Sequence, residues 1–589
     1  QLAPPSPQTH WAELETRPNL SFRRSRPAAT DTCPGGQCQG KSVPVDERFL
    51  ADARNDNPDI KLTWEPARFG WAFTLGRAWQ ASGDESYPAA FWRYFETFQA
   101  GNPPFLGENW TSGQEVGLRL IAFAFAGAVF RHSEQTTPLR LANLAVAIGQ
   151  HASRIVPTLA YARAQNNNHL LSEAAALYTA GLALPDHPQA EHWRKIGIKW
   201  LKWCFKHQID SSGEYVQHSV NYHRLMLQLA LWVKLVSGIR YQVSGKNLTP
   251  AHLTPIAREN LSLAAHWLFC LLDLDSGKVP NLGPNDGAYI FPMTNLPSED
   301  YRPVVQAAAQ AFLGYSLPSG PWDEMALWFL PGEQKLKVEA AKPSDLRILG
   351  IYPTTLQASE AAWAYLRTVR LNSRPGHADL LHLDLWWRGQ NITLDPGTFR
   401  YNDPAPWDNP FTSALYHNTV TVDGRDQFTR VSRFLYLDRA DATRIKTEAG
   451  ALSARHYAYT RRGVRHTRRV STLSPEHWQV KDELLNLRGK LHTFRLHWLL
   501  PDGEYEQEAG NEKIEIRLKL ANGWLNLQIT TPQLPVTNYS LARAGDVDPL
   551  RGWFSPTYNV KVPALSLAVE VQSAGNVQFV SEFIFSEHR

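Results

Sequence analysis

RPGHADLLHLDLWWRGQNITLDPG (residues 374–397) lies in the strand-patterned half of the chain, which begins after about 345. Leu381, Leu383 and Leu385 alternate with His382, Asp384 and Trp386, so the run reads as a strand with one apolar and one polar face. On its C-terminal side AAWAYLRTVRL-type runs continue: HNTVTVDG, LHTFRLHWLL, KIEIRLKL, WLNLQITT and ALSLAVEVQS follow with turn residues between them. Strands without intervening helices predict an antiparallel sandwich. On its N-terminal side, from about 66 to 340, the spacing is helical. Helices are predicted over 68–82, 87–99, 113–131, 138–155, 169–184, 189–207, 220–238, 254–273 and 302–313. Short breakers such as GNPPFLGENW (101–110), LPDHPQ (184–189) and KVPNLGPNDGAY (278–289) separate them, the pattern of hairpins packed as a bundle or a toroid. The division is a loosely ordered leader at 1–45, a helical domain at 46–345 and a β-sandwich domain at 346–589.

The 589 residues exceed one ordinary domain, and a net charge of +4 does not suggest nucleic-acid binding. The 21 tryptophans, 20 tyrosines and 25 phenylalanines are mostly core, although aromatic faces also suit sugar rings. The four cysteines make no disulfide scaffold; Cys33 and Cys38 flank a PGGQ turn, where a local bridge can form but is not established by sequence. No stretch reaches the roughly twenty apolar residues of a membrane span, and LIAFAFAGAVF (120–130) reads as a buried helix. The chain starts at Gln1 without methionine, consistent with removal of an upstream segment, and localisation stays open between periplasm, exterior and cytoplasm.

Three constellations carry chemistry. Asn166, Asn167, Asn168 and His169 precede a helix: one asparagine suffices as its cap, while a side-chain amide can also hold a carboxylate without bringing charge. In QHSVNYHRLMLQLALW (217–232), Tyr222 opens a helix beside His218, His223 and Arg224, cations that would favour its phenolate. In the strand half, His377, Asp379, His382, Asp384, Asp395 and His417 offer nitrogen and oxygen donors for zinc or manganese, or form a polar network tying strands together.

Taken together, WEPARFGWAFTLGRAW (64–79), NPPFLGENWTSGQEVGLRL (102–120), NNNHLLSEAAALY (166–178), HSVNYHRL (218–225), RPGHADLLHLDLW (374–386), LDPGTFRYN (394–402) and YHNTVTVDG (416–424) resemble the heparinase II/III family of polysaccharide lyases. The resemblance implies an incomplete (α/α) toroid followed by an antiparallel β-sandwich. It implies β-elimination at a uronic acid of a glycosaminoglycan or of alginate. It assigns carboxylate neutralisation to Asn168, with Asn167 and His169 beside it, and acid and, for one epimer, base chemistry to Tyr222. Relatives carry two histidines before the Ala-Asp-Leu-Leu run; here Pro375 stands at the first, so His377 matches the second, a metal ligand with Asp395 and His417, and only secondarily a base. A plain hairpin at Gly389 would face Asp395 toward Leu383, which makes His382 a rival ligand. The implied metal is divalent (zinc, manganese or calcium) and structural, with no organic cofactor. Asn109, Glu115, Arg119, His218, Arg374 and Arg400 are expected at the substrate. An acidic polysaccharide is the expected partner, bound by a monomer or homodimer in the periplasm or outside the cell. The competing readings are a toroid-fold glycoside hydrolase, which needs a carboxylate pair, and an inactive polysaccharide binder.

Overall fold

The computed structural model describes residues 59–588 apart from 245–254, 332–338, 349–353, 372, 374, 433–434, 533 and 545–549. The leader, the Cys33–Cys38 pair and Arg374 therefore lie outside the described residues. The helical half runs through α1 (Lys61–Ala67), α2 (Trp71–Ser82), α3 (Ser86–Gly101), α4 (Gly113–Phe130), α5 (Pro138–Gln165), α6 (Asn168–Ala183), α7 (Ala190–His207), α8 (Val220–Ser244), α9 (Pro255–Leu271) and α10 (Arg302–Phe312). Capping sets several starts: Ser112 accepts the Glu115 N–H ahead of α4, and Thr137 accepts the Arg140 N–H ahead of α5, whose first residue is Pro138. Helix α5 continues ten residues past its predicted end, through Pro157, because Ile155, Leu159 and Ala162 bury their side chains on the same face. Packing against neighbours overrides the breaker.

Successive helices pack side by side, with α6 against α4, α5, α7 and α8, as an incomplete (α/α) toroid. Among the described residues, α4 is the one helix long and apolar enough to cross a membrane, and it lies largely buried inside this packing. Cys204 and Cys270 are free thiols within the same core.

The strand half forms antiparallel layers. One sheet orders strands 442–445, 451–456, 464–474, 477–486, 577–586, 523–530, 513–520 and 505–509; another orders 538–543, 562–573, 492–501 and 420–422. A third sheet, of 355–359, 362–366, 383–387 and 390–391, joins the two halves. Its alternating residues divide between two cores: Trp363, Tyr365 and Trp386 enter the helical core, while Ala364, Leu366, Leu383 and Leu385 enter the sandwich core. The expected polar face of 381–386 is consequently not at solvent; His382 and Asp384 are fully buried.

The breaker at 278–289 is the second joint. Its helical side is tied by Ser219 Oγ donating to the Pro284 carbonyl (2.5 Å) and by Val220 N–H donating to the Leu282 carbonyl (3.1 Å). Its sandwich side is tied by Asn285 N–H to Thr398 Oγ1 (3.1 Å) and Asn281 Nδ2 to the Ser555 carbonyl (2.9 Å). Gly283 adopts φ +69°, and a Cβ there would lie 2.1 Å from the His218 carbonyl, so only glycine fits.

Candidate active site

The asparagine triplet is divided among three jobs. Asn166 ends α5 in the left-handed region (φ +47°), where asparagine is tolerated. Asn167 caps α6 by accepting the His169 N–H (3.0 Å), and its amide N–H donates to Gln165 Oε1 (3.1 Å). Asn168 is the first residue of α6 and is buried. Its Nδ2 donates to Gln114 Oε1 (2.6 Å) and its backbone N–H to Gln217 Oε1 (2.9 Å). One amide N–H is thereby used to fix the group's orientation, leaving the other for a ligand. Gln217 also brings the triplet beside the Tyr222 segment. Asn167, expected at the substrate, is occupied as a cap.

Tyr222 sits in the first turn of α8, and its Oη lies 3.4 Å from Tyr401 Oη of the sandwich half. The tyrosine pair is therefore assembled across the domain seam. Burial, then the Asp286 charge, then Tyr401 raise the Tyr222 pKa well above 10. The expectation of cations beside the phenol is overturned. His223 stacks on Trp267 and meets the Ala264 carbonyl, while Arg224 lies over Tyr289 and Tyr301 and donates to Asn221 Oδ1 (3.0 Å). Both point away from the ring, because i+1 and i+2 leave a different face of a helix. His218, at φ +53°, meets Glu214 Oε1 through Nδ1 (3.1 Å). Its Nε2 is buried without a partner among the described residues.

Asp286 acts on both Tyr222 and His169. It accepts from Asn221 Nδ2 (2.9 Å) and from Lys61 Nζ (3.2 Å); burial opposes its charge, but Lys61 and Arg68 hold its pKa below the ordinary carboxylate value. Arg68 in turn donates from Nε (2.5 Å) and Nη2 (2.9 Å) to Glu115. Glu115, expected at the substrate, is buried and bound to Arg68. Burial brings the His169 pKa down to about 4, opposed by Glu115, so the imidazole is neutral at pH 7. Its ring has no hydrogen-bond partner among the described residues.

Arg119 does not reach a cleft. It is fully buried, donating to the Ala67 carbonyl (2.9 Å), the Asn109 carbonyl (2.6 Å) and His151 Nε2 (2.9 Å), and burial lowers its pKa to about 9. It braces α1, α4 and the 102–110 loop. Asn109 is buried beside it, donating to Asn102 Oδ1 (2.9 Å), with its own Oδ1 unpartnered among the described residues. Arg400 is partly exposed, held by Asn559 Oδ1 (2.7 Å) and by both oxygens of Asp403 (3.2 Å).

In the sandwich half, His377, Asp395 and His417 converge, with one donor atom from each within 4.8 Å of the others. His417 Nε2 lies 3.3 Å from His377 Nδ1 and 3.6 Å from Asp395 Oδ2. The facing of Asp395 away from His377 does not arise. Pairing across the hairpin stops at Asn391, and Leu394 N–H donates to the Leu499 carbonyl (2.8 Å), so the chain leaves the sheet before Asp395. His382 Nε2 stands 3.1 Å from Asp384 and 3.9 Å from Asp395. The donor set fits a divalent cation. Asp395 Oδ2 is buried with no hydrogen-bond partner among the described residues, and burial, opposed by His417, raises its pKa to about 7. His417 Nδ1 meets the Ser413 carbonyl (2.9 Å), which fixes Nε2 as the free donor.

Arg367 bridges the two centres. It donates to Glu214 (2.7 Å) on the helical side and to Asp379 (3.2 Å) beside His377, all three groups being buried. Burial alone would raise Glu214, but Arg367 and His218 bring it down to about 2. Lys61, Arg68, Asp286, Arg367 and Tyr401 were not singled out from sequence. Arg68 and Tyr401 do lie inside WEPARFG and LDPGTFRYN, and Asp286 inside the breaker at 278–289.

A helical toroid joined to a β-sandwich, with a tyrosine pair meeting across the seam, is the architecture this chain adopts. The sequence says which family: residues 50–255 match the model "Heparinase II/III N-terminus" and residues 353–582 match "Heparinase II/III-like, C-terminal", and the chain belongs to the heparinase II/III family. A heparin-sulfate lyase of Bacteroides stercoris is 22% identical over 476 residues, 76% of this chain and 65% of that protein. One of Bacteroides thetaiotaomicron is 30% identical over 159 residues, 26% of this chain and 22% of that protein. The chain thus spans less than two thirds of the length of these relatives. The crystal structure of a heparan sulfate lyase mutant from Pedobacter heparinus shares the fold, with TM-score 0.57 at 19% identity over 90% of this chain and 78% of that one.

Proposed function

We propose that this chain is a lyase cleaving a uronate-containing glycosaminoglycan of the heparan sulfate type by β-elimination. The observation that carries the reading is the protonated Tyr222–Tyr401 pair on the seam that also holds Asn168 and His169. Elimination removes the proton on C5 of the uronate, forms the C4–C5 double bond and breaks the bond from C4 to the glycosidic oxygen, which leaves with a proton. Negative charge builds on the carboxylate, and a fixed donor aimed at it lowers the barrier. Asn168, oriented by Gln114, supplies that donor. Tyr222 enters as the phenol and gives its proton to the leaving oxygen. His169, neutral and unengaged among the described residues, takes the C5 proton. The incoming carboxylate raises the proton affinity of His169 toward its working range while keeping Tyr222 protonated.

The triad of His377, Asp395 and His417 holds a divalent cation in this reading, with zinc favoured by two nitrogens and one oxygen. The ion supplies charge compensation for Asp395 and ties the 375–379 turn to the 413–418 segment. Against the hydrolase alternative, Glu115 and Asp286, the carboxylates described beside His169 and Tyr222, are both held by cations.

Incubation with heparan sulfate, hyaluronan, chondroitin and alginate tests the function. Rising ultraviolet absorbance from an unsaturated uronate on heparan sulfate is the expected outcome. Reducing ends without that absorbance would make the protein a hydrolase, and neither signal would make it a binder.

A further inference from the structure

Beyond Tyr401 the chain builds a feature that the elimination does not use. Segment 396–401 lies along segment 555–559: Ser555 N–H donates to the Pro396 carbonyl (2.9 Å), Asn559 N–H to the Phe399 carbonyl (2.7 Å), and Tyr401 N–H to Tyr558 Oη (3.1 Å). Three rings gather at its end, with Trp407 centred 5.3 Å from Phe399 and 5.8 Å from Trp553. The Lys561 ammonium sits among them, 3.3 Å from the Trp407 centroid, 4.7 Å from Trp553 and 4.8 Å from Phe399. It makes no hydrogen bond or ion pair among the described residues. Arg400 lies over the same Phe399 ring at 5.1 Å, and Asp403, the carboxylate nearby, is engaged by Arg400. Two cations thus converge on one ring with a single carboxylate between them, next to the tyrosine that touches Tyr222.

Ring faces hold an ammonium in place and strip part of its water, but they do not neutralise it. A cation positioned by ring faces, with no ion-pair partner among the described residues, is a preformed seat for an anion. We propose that Lys561, pinned by Trp407, Trp553 and Phe399 and seconded by Arg400, is a subsite for an anionic substituent, a sulfate ester or a carboxylate, on a sugar unit flanking the one cleaved at Tyr222. The proposal rests on the lyase reading for its ligand class, and not for the existence of the seat.

The test uses the full chain carrying Tyr222→Phe, so that polymer is not consumed, with and without Lys561→Gln. Heparan sulfate and its chemically desulfated form are titrated into each by calorimetry at several salt concentrations. Loss of one charge-assisted contact weakens binding about tenfold or more. A loss confined to heparan sulfate assigns a sulfate, and an equal loss on both polymers assigns a carboxylate. Lys561→Arg restores most of the affinity if charge is what matters. Unchanged affinity for both polymers in Lys561→Gln overturns the proposal. So does a loss that arginine does not rescue and that comes with a lowered unfolding midpoint, since the lysine is then only packing. No binding of either polymer to the parent overturns it as well. Separately, if the unmodified chain cleaves no uronate polymer yet binds heparan sulfate through Lys561, the lyase reading falls and the subsite stands.

Discussion

Two histidine-bearing centres sit within one seam, and they handle charge in opposite ways. Around His169 and Tyr222 every carboxylate has a cation: Glu115 has Arg68, and Asp286 has Lys61. The reactive groups there stay neutral, with one imidazole free of partners among the described residues. Around Asp395 there is no side-chain cation in hydrogen-bond reach, and burial raises that carboxyl to about 7. A centre whose charges are already balanced can meet a charged substrate and stabilise its changing charge. A buried carboxylate among neutral imidazoles asks for a cation to stay. The difference is the physical ground for proposing chemistry at the first centre and cohesion at the second.

The sharpest way to break this comparison is Tyr222→Phe. Loss of the phenolic proton should lower kcat by about 10³-fold or more on heparan sulfate, with the unfolding midpoint within a degree or so of the parent. Retained activity would remove Tyr222 from the reaction. Asn168→Ala comes next, with a fall of about 10²-fold in kcat/KM, read by the same absorbance assay. A rise in KM alone would make the amide a ground-state binder.

Arg367→Met probes the bridge between the centres. It leaves Glu214 and Asp379 buried without their cation, and should cost about 3–5 kcal/mol of stability in urea unfolding. A change under 1 kcal/mol would mean that water or a rearrangement replaces the guanidinium. Removing the divalent ion with a chelator should lower stability by a similar or smaller amount, about 4 kcal/mol if the ion is present at a thousandfold its dissociation constant. Activity measured below the new midpoint should change little, and elemental analysis should return about one ion per chain. Activity lost in proportion to metal at unchanged stability would transfer the ion to the reaction.

The smallest effect is in pH. His169 titrates at about 4 in the folded chain against an ordinary value of about 6.5. Its folded pKa is depressed, so its stabilising contribution is complete above the unfolded value and is lost as pH falls through the folded one. If it is the base, kcat/KM should also fall as pH drops toward 4, and His169→Ala should erase that acid limb. An acid limb that survives the substitution belongs to another group.

Much of the fold was legible because its periods are strong. The change after about 345 separates helices from strands, and the predicted starts at Pro138, Val220 and Arg302 coincide with those of α5, α8 and α10. The misses have physical causes. Pro157 reads as a stop in isolation, yet the packed face of α5 carries the helix through it. The polar face of 381–386 reads as solvated, yet the sheet is buried on both sides. In the site, Tyr222 and Asn168 were named from their motifs, but their surroundings were not. His223 and Arg224 are neighbours in sequence and not in space, and Asp286 and Tyr401 are the reverse.

The sequence by itself determined the helical and strand halves and the family, and it supplied the candidate site residues, because periodicity and motif order are local properties of the chain. Only the tertiary structure decided the electrostatics. Whether Tyr222 is a phenol or a phenolate depends on Asp286 and Tyr401, 64 and 179 positions away. Whether Asp395 meets His417 depends on Leu394 leaving one strand for Leu499 of another. Charge acts through space and burial, and neither is written in the order of residues.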